Sequence, residues 1–297
     1  MGHMGLPVDR RPSDATVLSC GVTAGGFGLP DNASGHEVTH AQTPTAACAC
    51  CRPSAMIGAM SDINDLGQPV GESVPGWSPR QAPPSEVLSG RWCRLEPLDP
   101  ARHAEDLFTA YATDKTGRMW TYLPYGPFTS AAAYRDWVEQ VASHQDPLFF
   151  AVVEAAGDSA VGVLALQRIE VASGSAEVAH VTFSPALQGT TAATEAIFLV
   201  MSLVFDELGY RRFEWKCDAL NAPSRRAAGR FGFLYEGTFR QAVVVKGRNR
   251  DTAWFAIIDS EWPRLKGAYE AWLSPDNFDE HGQQRIALSQ LTAEDRC

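Results

Sequence analysis

Residues 194–208 of this 297-residue chain read TEAIFLVMSLVFDEL, apolar on nearly every side, so a helix formed there has no face to give to water and must be buried. The apolar run from Ala196 to Phe205 is too short for the roughly 18 to 20 residues a bilayer span needs, which makes it a core helix. Stretches with strand texture, 176–184 and 211–218, bracket it, and Gly209 stands where such a helix would end. A buried helix between two strands must lie on a sheet, which confines the chain to a mixed α/β fold.

The remaining pattern is consistent with one such domain. Residues 87–96 alternate as a strand, and Asp99-Pro100 opens a helix over 101–113 with Asp99 as N-cap and Pro100 at the first helical position. An aromatic loop, Trp120 to Phe128, precedes a second helix capped by Thr129 or Ser130 and carrying Tyr134, Trp137, Val138 and Val141 at helical spacing. Strands over 149–154 and 160–168 form a hairpin. After the strand at 211–218, Asn221 caps a helix that Gly232 ends, and strands over 236–246 and 252–259 close the domain around a Gly247 turn.

Ends and composition add limits. The net charge of −10 argues against nucleic acid or an anionic membrane as partner and fits a cationic or amine-bearing substrate. Seven cysteines, with Cys93, Cys217 and Cys297 standing singly, suit a reducing compartment, so the expected location is the cytoplasm. Residues 1–59 have few large apolar residues and no sustained period, so they are expected to be disordered. Met1 to Met4 reads as a cloning scar, and Met60 as a natural start. Cys20 lacks a signal core before it, and His36, His40 and the Cys48 to Cys51 cluster lack zinc spacing, so no metal is expected. Residues 60–85, rich in Pro and Gly, read as an extended arm with Trp77 as an anchor; 86–275 is the domain and 276–297 a tail.

The chemistry concentrates at two strand-to-helix junctions. At the first, Gln188, Gly189, Thr190, Thr191, Ala192 and Ala193 are small or polar residues that let a ligand approach a helix start, whose free N–H groups and dipole favour an anion such as pyrophosphate. The loop has neither the Gly-Lys-Ser/Thr of a Walker motif nor the three glycines of a dinucleotide fingerprint. At the second, Asn221-Ala222-Pro223-Ser224 leads to Gly232-Phe233-Leu234-Tyr235-Glu236-Gly237.

In this order the motifs resemble those of the GNAT N-acetyltransferases, and within them the RimJ/RimL-like group, over residues 87–262. The matching elements are Gln188-x-x-Thr191-x-Ala193, Thr194-Glu195-Ala196, Asn221-x-x-Ser224 and Gly232-Phe233-x-x-Glu236-Gly237. Thr191 departs from the group, which has glycine there. The resemblance implies a mixed, mostly antiparallel sheet flanked by helices, with a V-shaped split between two central strands that admits the pantetheine arm of acetyl-CoA or another acyl-CoA. It implies that Val181, Thr182 and Phe183 hold that arm, that the 188–193 loop holds pyrophosphate, and that Asn221 and Ser224 contact the arm or sulfur.

Acyl transfer also needs a neutral amine, donors for the developing oxyanion and a proton for the thiolate. Glu177 and His180 are the candidate bases, expected on opposite faces of their strand by its period of two, and Ser224 is the candidate acid. Trp120, Tyr122, Tyr125 and Phe128 are candidates for the acceptor pocket wall. The expected partner is an amine, on a peptide N-terminus or a small molecule, with a homodimer as a further implication of the resemblance. The rival reading is a non-catalytic CoA-binding or regulatory module on the same fold.

Overall fold

The structure, a computed structural model, describes residues 62–293; the expectations for 1–59 and Cys297 lie outside them. Residues 62–72 belong to a separate unit in which β1 (Asp62–Ile63) pairs antiparallel with β2 (Pro69–Val70).

From Ser73 onward the elements in chain order are β3 (Leu88–Ser89), β4 (Cys93–Pro97), α1 (Pro100–Tyr111), α2 (Ala131–Val141), β5 (Leu148–Glu154), β6 (Ala160–Glu170) and β7 (Ser175–Phe183). There follow α3 (Thr191–Ser202), β8 (Arg212–Asp218), α4 (Ala222–Arg230), β9 (Leu234–Val245), β10 (Arg248–Ile258), α5 (Trp262–Leu273) and α6 (Leu288–Leu291). The strands β3 to β10 form one sheet in the order β3-β4-β5-β6-β7-β8-β10-β9. Every neighbouring pair is antiparallel except β7 with β8.

Helices α1 and α2 cover one face and α3, with α5, the other. Helix α1 starts as its sequence dictates: Asp99 Oδ1 accepts from Arg102 N at 2.8 Å, and Pro100 sits in the first turn, where its missing N–H costs nothing. Its buried residues Ala104, Leu107 and Tyr111 pack with Tyr134 and Val138 of α2 over Phe149, Val163 and Ala165. Helix α3 is buried along most of its length, and its backbone loosens into a π-helical turn, Leu203–Glu207, before Gly209. The larger core cluster joins Ala196, Ile197 and Val200 of this helix to Leu164, Leu166, Phe213 and Tyr269.

Three expectations need correction. The single strand over 87–96 is two short strands, because the chain turns at Gly90-Arg91 to deliver the N–H groups of Arg91, Trp92 and Cys93 to the carboxylate of Glu195 at 2.7, 2.7 and 2.8 Å. A Cβ on Gly90 would stand 2.4 Å from that carboxylate, so the turn requires glycine. Helix α3 begins at Thr191 rather than 194, since Thr190 Oγ1 caps it by accepting from Ala193 N at 3.1 Å.

The third correction is at His180. Its φ of 51° places it at an irregularity in β7, where Ala179 pairs with Ala165 but Thr182 with Val163. This bulge breaks the period of two. The His180 ring therefore stacks on Tyr125 and contacts Phe149, on the α1/α2 face that also carries Glu177, instead of facing away from it.

Beyond the expected strands, α5 supplies Trp262, Leu265, Tyr269 and Trp272 to the core. The segment expected as a tail is tied to the domain by buried Asn277, Leu288 and Thr292. In the arm, Trp77 Nε1 donates to Ala172 O at 3.0 Å, and Arg80 Nε to Gly209 O at 3.0 Å.

Candidate active site

Strands β7 and β8 are paired only from Ser175 with Arg212 to Val178 with Trp215; beyond that point they part. The gap opens into a cleft of about 1290 Å³. Val181, Thr182 and Phe183 line one side, and Trp215, Asn221 and Ser224 the other.

The floor between them is the start of α3. Gly189 takes a φ of 77°, which glycine adopts freely, and turns the chain from β7 into the helix. Gln188 Nε2 donates back to Phe183 O at 2.8 Å, bracing the loop against the strand end. The Thr190 cap satisfies Ala193 N–H, and Thr190 O accepts from Thr194 N at 3.3 Å. The amides of Thr191 and Ala192 precede any acceptor within the helix, so the helix start presents donors and the positive end of its dipole. Gln188, Gly189, Thr190, Thr191 and Ala193 line the cleft, whereas Ala192 is turned inward and its carbonyl accepts from Cys93 Sγ at 3.4 Å.

Helix α4 is set by its own cap, Asn221 Oδ1 accepting from Ser224 N at 3.1 Å. Ser224 Oγ in turn accepts from Trp215 Nε1 at 3.0 Å. That bond occupies a lone pair and leaves the hydroxyl proton free to be donated. Cys217, buried beside Ser224, has its thiol pushed above the ordinary range by burial, with Ser224 opposing the shift, so it is a poor nucleophile.

The candidate bases are not on the cleft wall. Glu177 is 3% exposed; its Oε1 accepts from Gln167 Nε2 at 2.9 Å, and its Oε2 lies 3.1 Å from Lys216 Nζ. Burial raises its pKa and Lys216 opposes the rise. Lys216 Nζ is also 2.5 Å from Glu214 and 3.6 Å from the centre of the Trp254 ring. His180 is wedged among aromatic rings, with Nδ1 at 3.1 Å from Tyr125 Oη, and burial lowers its pKa to about 4. At neutral pH it is uncharged and poorly basic.

Of the four aromatic residues expected around the acceptor, only Tyr122 lines the cleft, its hydroxyl donating to Leu220 O at 3.2 Å. Trp120, Tyr125 and Phe128 pack on one another and on Trp137 as core beneath the loop. The loop is clasped from outside by Lys246 Nζ, which donates to Trp120 O and Gly126 O, both at 2.9 Å.

Several wall residues escaped the sequence reading. Trp215 could have been found from its place on the strand before Asn221. Asp114 sits in a turn and Arg118 opens a single 3-10 turn, neither with a periodic signal. Arg230, Trp272, Phe278 and the stretch 282–284 come from a helix end and a tail segment that only tertiary packing brings to the cleft. Asp114 is the one carboxylate among the described lining residues. It accepts from Met119 N, Thr116 N and Thr116 Oγ1, and the Met119 amide leads in holding its pKa below the ordinary range. Among the described residues no group of three or more His, Cys, Asp or Glu could hold a metal ion, and no helix is long and apolar enough to cross a membrane.

A family profile described as an acetyltransferase (GNAT) domain matches residues 93–234. The crystal structure of a GCN5-related N-acetyltransferase from Brucella melitensis is similar at 47% identity over 74% of this chain and 99% of that one, with a TM-score of 0.72. The chain belongs to the GNAT acetyltransferase family. A candidate acetyltransferase of the same family from Chromobacterium violaceum is 43% identical over 66% of this chain and 98% of its own, with a TM-score of 0.62. The Bacillus subtilis protein YdaF, named as a candidate ribosomal N-acetyltransferase, is 27% identical over 176 residues, 57% of this chain and 90% of its own. These relatives agree with the RimJ/RimL-like resemblance of the motifs, and acetyl transfer from acetyl-CoA is the chemistry of this GNAT chain at the level of its family.

Proposed function

We propose that the chain transfers acetyl from acetyl-CoA directly to a primary amine, on a protein N-terminus or a small molecule, within the cleft between β7 and β8. The observation that carries this reading is that one cleft gathers a parted strand pair, a helix start with free amides and a serine hydroxyl whose proton is available. In this reading the unpaired edge of β7 at 181–183 takes the pantetheine arm, the amides of Gly189, Thr191 and Ala192 take the pyrophosphate, and Ser224 gives its proton to the departing thiolate. No covalent enzyme intermediate is invoked, in keeping with the inert Cys217.

The amine must be neutral to attack. The cleft-lining carboxylate, Asp114, is held too acidic to serve, Glu177 is committed to Lys216 behind the wall, and His180 is sealed in an aromatic shell. We therefore assign proton removal to solvent water, so that turnover should climb with pH along the titration of the acceptor amine. The buried free thiols of Cys93 and Cys217 fit a reducing cytoplasm.

The test is an acetyl-CoA turnover assay, reading free thiol release, across a panel of amines and N-terminal peptides. Turnover on one acceptor class supports the reading. Tight CoA binding with no turnover on any acceptor would favour a regulatory CoA-binding module instead.

A further inference from the structure

The cleft has chemistry that the proposed reaction leaves unused. Arg230, the last residue of α4, is half-buried there and has no carboxylate within ion-pairing distance among the described residues. Its Nη1 donates to Thr194 Oγ1 at 3.1 Å, and its guanidinium lies over the rings of Phe231 and Trp272, 5.4 and 5.2 Å from their centres. A guanidinium presents five N–H donors in a planar fork, so a single neutral hydrogen bond leaves most of them unspent. Burial lowers its pKa, as expected for a cation without a counter-charge.

Next to it the C-terminal segment forms a wall. Trp272 and Phe278 meet edge to face at 5.4 Å, and Gln283 and Gln284 follow along the same side. The segment is braced from within by Asn277, whose Nδ2 donates to Trp272 O and Ile286 O and whose Oδ1 accepts from Ile286 N. Of its three acids, Asp276, Asp279 and Glu280, Asp279 is engaged in accepting the amides of His281 and Gln283, Glu280 lies 3.6 Å from His281 Nε2, and none lines the cleft. Such a wall, aromatic with amide groups at its rim and preceded by an unpaired guanidinium, suits a purine nucleotide carrying a phosphate.

We propose that Arg230 and residues 272–286 form the subsite for the nucleotide end of coenzyme A, with Arg230 reading the ribose 3′-phosphate; this rests on the acetyl-CoA reading above. The strand gap takes the arm, the α3 start takes pyrophosphate with neutral donors, and Arg230, hydrogen-bonded to Thr194 in the first turn of α3, meets the dianionic phosphate attached to the adenosine. Residues 272–286 lie outside the matched family segment.

Calorimetry with CoA and 3′-dephospho-CoA on the full chain tests this. The wild type should bind CoA at least ~10-fold more tightly than dephospho-CoA, or about 1.4 kcal/mol. In Arg230→Gln that preference should fall to within ~2-fold through loss of CoA affinity alone, while Arg230→Lys retains part of it and both variants keep the wild-type melting temperature within a few degrees. Equal affinity of the wild type for the two ligands would overturn the assignment without need of any variant. An equal loss for both ligands in Arg230→Gln would also overturn it, moving the guanidinium to the pyrophosphate. No binding of either ligand by the folded wild type would instead refute the acetyl-CoA reading on which the inference rests.

Discussion

Lys216 Nζ on β8 stands 3.1 Å from Glu177 Oε2 on β7, one residue past the last backbone pairing between the two strands. Neither this contact nor the one to Glu214 is aligned as a hydrogen bond, so the cation is held by charge and by the Trp254 ring. The ion pair thus fastens the closed end of the split, and what the sequence offered as a catalytic carboxylate acts as part of the hinge of the V.

Removing one partner of a buried pair leaves the other charge uncompensated, at a cost of about 3–5 kcal/mol. Lys216→Met should therefore lower the melting temperature by roughly 6–20 °C, taking ~2–4 °C per kcal/mol for a domain of this size. The deficit should shrink as pH falls, because Glu177, whose pKa burial already raises, then takes up a proton. An unchanged melting curve at pH 7 would show that the pair holds nothing together.

Ser224→Ala removes the hydroxyl that accepts from Trp215 and faces the cleft. If this group protonates the thiolate, kcat should fall by roughly 10²-fold with the Kd for CoA within ~3-fold, on the usual scale for general acids. The loss of the indole's partner should cost only about 1 kcal/mol of stability. Pre-steady-state thiol release separates chemistry from binding; a wild-type rate would pass the proton-donor role to water.

His180 supplies a pH dependence of stability. Its folded pKa of about 4 is depressed by burial below the ordinary 6.5, so between these values the unfolded chain binds a proton that the folded one refuses. The associated stability is complete above pH ~6.5 and is lost as pH falls toward 4. Denaturant unfolding at pH 7 and pH 4.5 should show this loss, and His180→Gln, which can keep the bond to Tyr125, should reduce it. Equal slopes in both proteins would mean that other groups carry the acid sensitivity.

The arm can be tested through Gly174, where a Cβ would come within 2.6 Å of the Trp77 ring and φ is 63°. Gly174→Ala should destabilise by about 1–3 kcal/mol. Combined with Trp77→Ala it should cost less than the sum of the two single changes, because the collision is then gone. Additive costs in chemical unfolding would indicate that the arm does not rest on Gly174.

The parts of this fold that were legible in advance are those with local grammar. Asp99-Pro100, Ser130 and Asn221 capped the helices they announced, and the apolar texture of α3 fixed a buried helix beside a sheet. The Asn221-Ser224 turn is readable because capping depends on short-range backbone chemistry. What escaped depended on distant partners. No period reveals that Glu195 will hold the amides of residues 91–93, or that a bulge will rotate His180 onto the face of Glu177. Residue type and place on the strand mark Glu177 as a candidate base, and only the packing of Lys216 against it shows that its charge is already paired. The sequence of 276–297 reads as a tail because the anchors Asn277, Leu288 and Thr292 are spaced without regularity.

The central claim is that the start of α3 holds the pyrophosphate of acetyl-CoA, and Ala193, small and at the cleft wall, is where it can be tested most directly. Calorimetric titration of CoA into Ala193→Glu, with Ala193→Gln as a control of similar bulk and no charge, measures whether a carboxylate there repels the ligand. The account predicts at least ~10-fold weaker binding by Ala193→Glu, a loss of ~1.4 kcal/mol or more, with a smaller loss for Ala193→Gln and both variants folded. Wild-type affinity in folded Ala193→Glu would contradict it.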